Sequence, residues 1–113
     1  MRKNTGKTTE SAPAKPYIDF HEWHVENLRD AEAARMYLQI ALEEYEEDKD
    51  AEAFLLALRS VTEAQGGVGE LAKRTSLNRQ SLYKALSSKG NPRLDTLGTI
   101  LHGLGFKLSV ESL

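Results

Sequence analysis

Apolar residues recur at helical spacing along most of the chain, and the pattern divides it into five helices. Ala34, Tyr37, Leu38, Ala41, Leu42 and Tyr45 form one stripe, the period of an amphipathic helix with a single buried face. Asp30 stands before it as an N-cap, with Glu32 in the first turn, where a negative charge is favourable. The helix is expected to end in the charged stretch 43–50. Asp50 can cap a second helix that turns Phe54, Ala57, Leu58 and Val61 inward and stops at Gly66-Gly67. Three short helices follow. Residues 68–75 turn Leu71 and Ala72 inward, and residues 78–88 turn Leu82, Ala85 and Leu86 inward. The last has Asn91 as its cap and Pro92 at its first helical position, where a missing N–H costs nothing. It continues through Leu94, Leu97, Ile100, Leu101 and Leu104 to Gly105. From 106 to 111 apolar and polar residues alternate, as in a half-buried strand. A lone strand needs its backbone satisfied from outside, by another copy or another protein.

Two stretches fall outside this pattern. Residues 1–16 are polar, contain Pro13 and Pro16, and have no hydrophobic period. They cannot bury enough apolar surface to offset the entropy of ordering, so a flexible N-terminal arm is expected. Residues 17–29 hold Tyr17, Ile18, Phe20, Trp23, Val25 and Leu28. They should dock on something, although no regular element can be assigned to them.

Composition adds bounds. The 113 residues are enough for one compact domain, with 40% hydrophobic and 28% charged residues. No apolar run approaches the roughly 20 residues that cross a bilayer. The basic start is followed by no apolar stretch, so it does not read as a secretory signal. The absence of cysteine removes disulfides, thiol catalysis and thiolate metal sites, and fits a cytosolic protein.

Charge changes the picture more. The net −2 hides a division: residues 1–16 carry +3, residues 17–65 carry −9 and residues 66–113 carry +4. An acidic block between two basic ones suggests two partners of opposite character, the plain alternative being a solvated acidic helix face. The expected organisation is thus an arm over 1–16, an acidic helical segment over 17–65 and a basic region over 66–113. Residues 17–113 should form one domain.

Residues 69–86 are the most informative. Two helices too short to stand alone are joined by a tight turn at Ser76-Leu77, as in a helix-turn-helix. Ala72 is small, as the close helix crossing needs, and Leu71, Leu77, Leu82 and Ala85 point to the shared core. The outward face of the second helix is left with Arg79, Gln80, Ser81 and Lys84. These suit base edges: Arg donates two bonds to guanine, and Gln pairs with adenine. Asn78, Ser87, Lys89 and Arg93 flank the helix and could hold phosphates of double-stranded DNA. A small helical core with merely solvated Arg79 and Lys84 is the alternative.

At the level of residues, 66–105 resemble the Xre/Cro-type helix-turn-helix family of phage repressors, in Glu70-Leu71-Ala72, Gln80-Ser81-Leu82 and Asn91-Pro92. The likeness extends over 30–111, which resemble the addiction-module antidote proteins, the HigA-like antitoxins of bacterial type II toxin–antitoxin pairs. Tyr37-Leu38, Ala41-Leu42-Glu43-Glu44, the run 53–58, residues 81–86, Gly90-Asn91-Pro92 and residues 104–110 carry it. The resemblance implies a lambda-repressor-like, mostly α fold and a bacterial cytoplasmic repressor that binds its own operator as a dimer. It also implies a toxin partner, a small basic ribonuclease of the RelE/HigB type. Base-contact positions map onto Arg79, Gln80 and Lys84, and phosphate positions onto Ser87, Lys89 and Arg93. Two departures stand out. Val68 replaces a phosphate-reaching Gln, and Ser76 replaces the usual turn Gly.

A basic toxin would be drawn to Glu43, Glu44, Glu46, Glu47 and Asp48, with Phe20, Trp23 or Tyr45 as anchors. The alternatives are a solvated helix end and a core Trp23. No enzymatic arrangement is evident. His21 and His24 lack the His-Glu-x-x-His zinc pattern and a third ligand, and Gly66-Gly67-x-Gly69 lacks the lysine of a phosphate loop. No metal or cofactor is expected. Rival readings are a phage-type Xre regulator without a toxin and an interaction adaptor with a vestigial helix-turn-helix.

Overall fold

The computed structural model of the chain describes residues 23–113. The expected arm over 1–16, and the residues Tyr17, Ile18, Phe20 and His21, lie outside the described residues. Residues 23–27 are helical, and five helices follow. They are α1 (Ala31–Asp48), α2 (Glu52–Ala64), α3 (Val68–Arg74), α4 (Arg79–Ala85) and α5 (Leu94–Gly103). The architecture is mostly helical, as the periodicity indicates.

Each helix end has a local cause. The Asp30 carboxylate accepts from the Ala33 amide at 2.9 Å, which caps α1 as expected. Lys49 ends α1 in the left-handed region, at φ 59°, with its amide on the Tyr45 carbonyl. Asp50 accepts from the Glu52 amide at 3.0 Å, but the N-cap of α2 is Ala51, one position later than expected. At the other end of α2, the Gly66 and Gly67 amides donate back to the carbonyls of Glu63 and Thr62, and Gly66 has φ 110°. This is a Schellman stop, for which glycine is the natural residue.

Two boundaries move. α4 ends at Ala85 rather than at 88, because residues 86–89 turn away and the Gly90 amide donates to the Ser87 carbonyl. α5 begins at Leu94, not at Pro92. Arg93 is extended (φ −68°, ψ 160°) and occupies the cap position, and no side chain bonds across it. The Asp95 carboxylate instead accepts from the Thr96 amide at 2.8 Å.

The core joins all five helices. Ala34, Leu38 and Ala41 of α1 meet Phe54, Leu55, Leu58 and Val61 of α2, and Leu71, Leu82, Leu86, Ile100, Leu101 and Leu104 complete the cluster. Val25 packs against it and Leu28 is buried within it, so the segment before α1 docks through these two residues. The Thr62 hydroxyl, buried among these side chains, donates to the Leu58 carbonyl at 2.7 Å. Leu82 is fully buried, and truncating such a leucine to alanine costs roughly 2–5 kcal/mol.

The expected C-terminal strand is not formed. Residues 106–113 adopt neither helix nor strand. Phe106 is half-buried against the core, and its amide donates to the Leu101 carbonyl at 2.8 Å. Beyond it the backbone meets no ladder partner within the described residues, and a strand without a partner does not persist.

Candidate nucleic-acid interface

The pair α3 and α4 is joined by residues 75–78, and side-chain hydrogen bonds hold both ends of that link. Thr75 leaves α3 in an extended conformation (φ −118°, ψ 174°). Its hydroxyl donates to the Leu71 carbonyl at 3.0 Å and accepts from the Leu77 amide at 3.2 Å. The Asn78 carboxamide then accepts from the Ser81 amide at 2.8 Å and caps α4. Ser76 therefore needs no glycine-like backbone: among the described non-glycine residues only Lys49 has positive φ. The departure from the usual turn glycine is absorbed by Thr75.

α4 is held from three sides. Leu82 and Ala85 are buried, and Leu77 packs against the same core. At its C-terminal end, the Arg59 guanidinium reaches over from α2 and donates to the Leu86 carbonyl. A cation there satisfies a carbonyl that the helix leaves open and suits the negative end of its dipole. α3 is fixed in turn by Arg74, which bonds Gln65 at 2.8 Å and the Gly103 carbonyl at 3.3 Å. Gln65 itself donates to the Leu104 carbonyl at 2.9 Å. The ends of α2, α3 and α5 are thus tied in one polar bracket.

On this frame the outward residues of α4 are Arg79, Gln80, Ser81, Tyr83 and Lys84, all exposed. Arg79 leans back over Gly69, in the first turn of α3. Asn78 is engaged as the cap. Ser87 is exposed and its hydroxyl donates to the Lys84 carbonyl at 3.0 Å. Lys89 is exposed on the turn after α4. Arg93 is paired with Asp95 at 3.3 Å, both sides open to solvent. The Asp95 carboxyl is held below the usual carboxylate range, first by the Thr96 amide and then by Arg93. The four residues expected to read bases therefore lie on one short helix, with Asn78 at its start, Ser87 and Lys89 just past its end, and Arg93 at the start of α5.

Three features were not expected. Arg59 sits in the acidic segment and gave no local signal for its bond to Leu86, 27 residues away. Gln65 and Arg74 likewise act across the fold. Tyr83 is 62% exposed beside Lys84. Its place between two outward positions of α4 was visible in the periodicity.

α1 and α2 pack together as a hairpin, and the acidic residues gather at its turn. Glu43, Glu44, Glu46, Glu47 and Asp48 are exposed in the last turns of α1, and Tyr45 is half-buried. That helix end has no basic residue in its last turn. Carboxylates there face the negative end of the dipole, which is unfavourable. Among the described residues, Lys49, just outside, offsets it, 3.4 Å from Glu46 and 5.6 Å over the Tyr45 ring. Trp23 is 61% exposed, not core, and Phe20 lies outside the described residues. His24 meets the Tyr37 ring edge-on at 4.8 Å, and His102 is exposed in the last turn of α5. Among the described residues no His, Asp and Glu side chains gather as a metal site, and no helix is long and apolar enough to cross a membrane.

A family model described as "Probable addiction module antidote protein" matches residues 20–112. Over 86 residues the chain is 30% identical to an uncharacterized protein of Haemophilus influenzae, across 76% of this chain and 84% of that relative. No solved structure matches the chain. The match to the family model starts before α1 and runs past α5, so it embraces the acidic hairpin and the α3–α4 pair together. On that match, the chain belongs to the family of probable addiction module antidote proteins.

Proposed function

We propose that this chain is the antitoxin of a type II toxin–antitoxin pair, acting in the bacterial cytoplasm without catalysis. It represses its own operon as a dimer and neutralises a small basic toxin of the RelE/HigB type. Residues 66–113 form the DNA-binding region, an Xre-type helix-turn-helix, and the acidic segment 17–65 meets the toxin. The observation that carries the DNA half is the outward row Arg79, Gln80 and Lys84 on a helix whose opposite side is fully buried. Such a helix enters the major groove with its N-terminal residues leading. Arg79 and Gln80 read bases, helped by Ser81, while Ser87, Lys89 and Arg93 hold phosphates. Asn78 serves chiefly as the cap that aims the helix.

The toxin half is supported by the family and by the acidic end of α1. Its carboxylates are poorly placed for the helix itself, and a basic partner would relieve them while speeding encounter. Tyr45 and the exposed Trp23 are the anchors on this reading, with Phe20 three residues before Trp23.

Co-expression with each neighbouring small reading frame tests the proposal. The expected result is a neighbour that is toxic alone and forms a stable, harmless complex with this chain. If no neighbour binds it or slows growth, the toxin half fails and a plain DNA-binding regulator remains.

A further inference from the structure

After Phe106 the chain exposes both an apolar face and an open backbone. Phe106 is half-buried, Leu108 is 45% exposed and Val110 is 98% exposed. Among the described residues, the backbone of 107–113 makes no hydrogen bond. Lys107 and Glu111, on the alternate positions, have no ionic partner within those residues either. An alternating segment with unpaired backbone groups is a template for pairing with another chain.

We infer that residues 107–111 pair antiparallel with the same residues of a second copy, about a two-fold axis through Ser109. The inference deepens the dimer in the reading above and rests on it for its role. It commits to a register, because the segment is complementary to itself in one register only. With Ser109 opposite Ser109, Lys107 faces Glu111 of the other copy and Glu111 faces its Lys107. Leu108 then faces Val110 on the second side, and Val110 faces Leu108. Centring the axis on Leu108 instead sets Lys107 against Ser109 and Glu111 against Gly105. Centring it on Val110 sets Lys107 against Leu113 and Glu111 against Ser109. Centring it between residues places apolar side chains opposite polar ones, since directly opposed residues share a face. A two-fold axis fits, because isologous contact is the usual form of a homodimer. The strand is therefore missing from the single chain for the reason that it forms only between copies.

The chain contains no cysteine, which makes a direct test clean. Ser109→Cys should link two copies under mild oxidation, because the two side chains face each other across the axis. Ser112→Cys should not, because the two positions are offset by six residues, about 20 Å at ~3.4 Å per residue. Equal linkage at both positions, or linkage at 112 and none at 109, overturns the register. Sedimentation without DNA provides the second reading. Lys107→Glu and Glu111→Lys should each weaken the dimer about tenfold, and the double variant should restore it. Both positions are exposed, so the helical circular-dichroism signal at low protein concentration should stay unchanged. Singles that dimerise like the parent, or a double no better than either single, overturn the pairing. Neither assay reads operator or toxin binding, so failure of those functions leaves this result distinct.

Discussion

The Arg79 guanidinium lies so close over Gly69 that a Cβ on that glycine would sit 2.9 Å from Nη2. The obstructing atom is the far end of a flexible side chain, so it can swing away. Gly69→Ala should therefore keep or raise stability, by up to about 1 kcal/mol from helix propensity, while displacing Arg79. Gly103→Ala is the contrast. Its Cβ would lie 2.7 Å from Leu71 Cδ1 and 2.8 Å from Thr75 Cγ2, where α5 crosses α3. Overpacking of that kind costs roughly 1–3 kcal/mol. Thermal or urea unfolding of the two variants checks the difference, and equal losses would contradict it.

Arg59 should matter more than its place in the acidic segment suggests. Arg59→Ala leaves the Leu86 carbonyl, in a buried residue, without its charged donor. The expected loss is roughly 1.5–3 kcal/mol, read by denaturant unfolding. Because the bond holds the C-terminal end of α4, amide exchange there should rise more than in α1. Uniform exchange would count against this bracing role.

A stabilising change is expected at Lys49, whose φ of 59° is costly for a residue with a side chain. Lys49→Gly should gain about 0.5–1 kcal/mol, partly offset by the lost exposed pair with Glu46. A lowered melting temperature would show that the pair outweighs the backbone strain.

Acid should act partly through Asp95. Its carboxyl is depressed by the Thr96 amide and Arg93, so its contribution is complete above the unfolded value. It is lost as pH falls through the lower folded value, in a window below about pH 4. Asp95→Asn should be less stable than the parent at pH 7, and the gap should close as the parent's carboxyl protonates. A gap that stays constant to low pH would place the effect elsewhere.

Much of this architecture was legible in the residues because its causes are local. Asp30 and Asn78 cap helices within three residues of themselves, and Gly66-Gly67 stop α2 within five. Where the cause is distant, the sequence was silent. The Arg59 bond to Leu86 and the Arg74–Gln65–Leu104 bracket link residues far apart in the chain. Pro92 signalled a helix start correctly in kind but two residues early, because Arg93 keeps the chain extended before α5. Alternation over 106–111 suggested a strand that does not form, because no ladder is available to it among the described residues. On α4, burial of Leu82 and Ala85 left the expected row outward. The same pattern reasoning left Trp23 between core and surface, and the structure exposes it.

Whether the α4 face reads operator DNA is decided by fluorescence anisotropy with the DNA upstream of the gene. Binding of the parent and of Arg79→Ala would be followed on that duplex, on single-base variants and on scrambled duplex, over a range of salt. The expected result is sequence-selective, salt-dependent binding by the parent. Arg79→Ala should lose about 1–3 kcal/mol and relax discrimination at one position. Equal affinity of the parent for upstream and scrambled duplex, or an Arg79→Ala variant with unchanged affinity and selectivity, would contradict it.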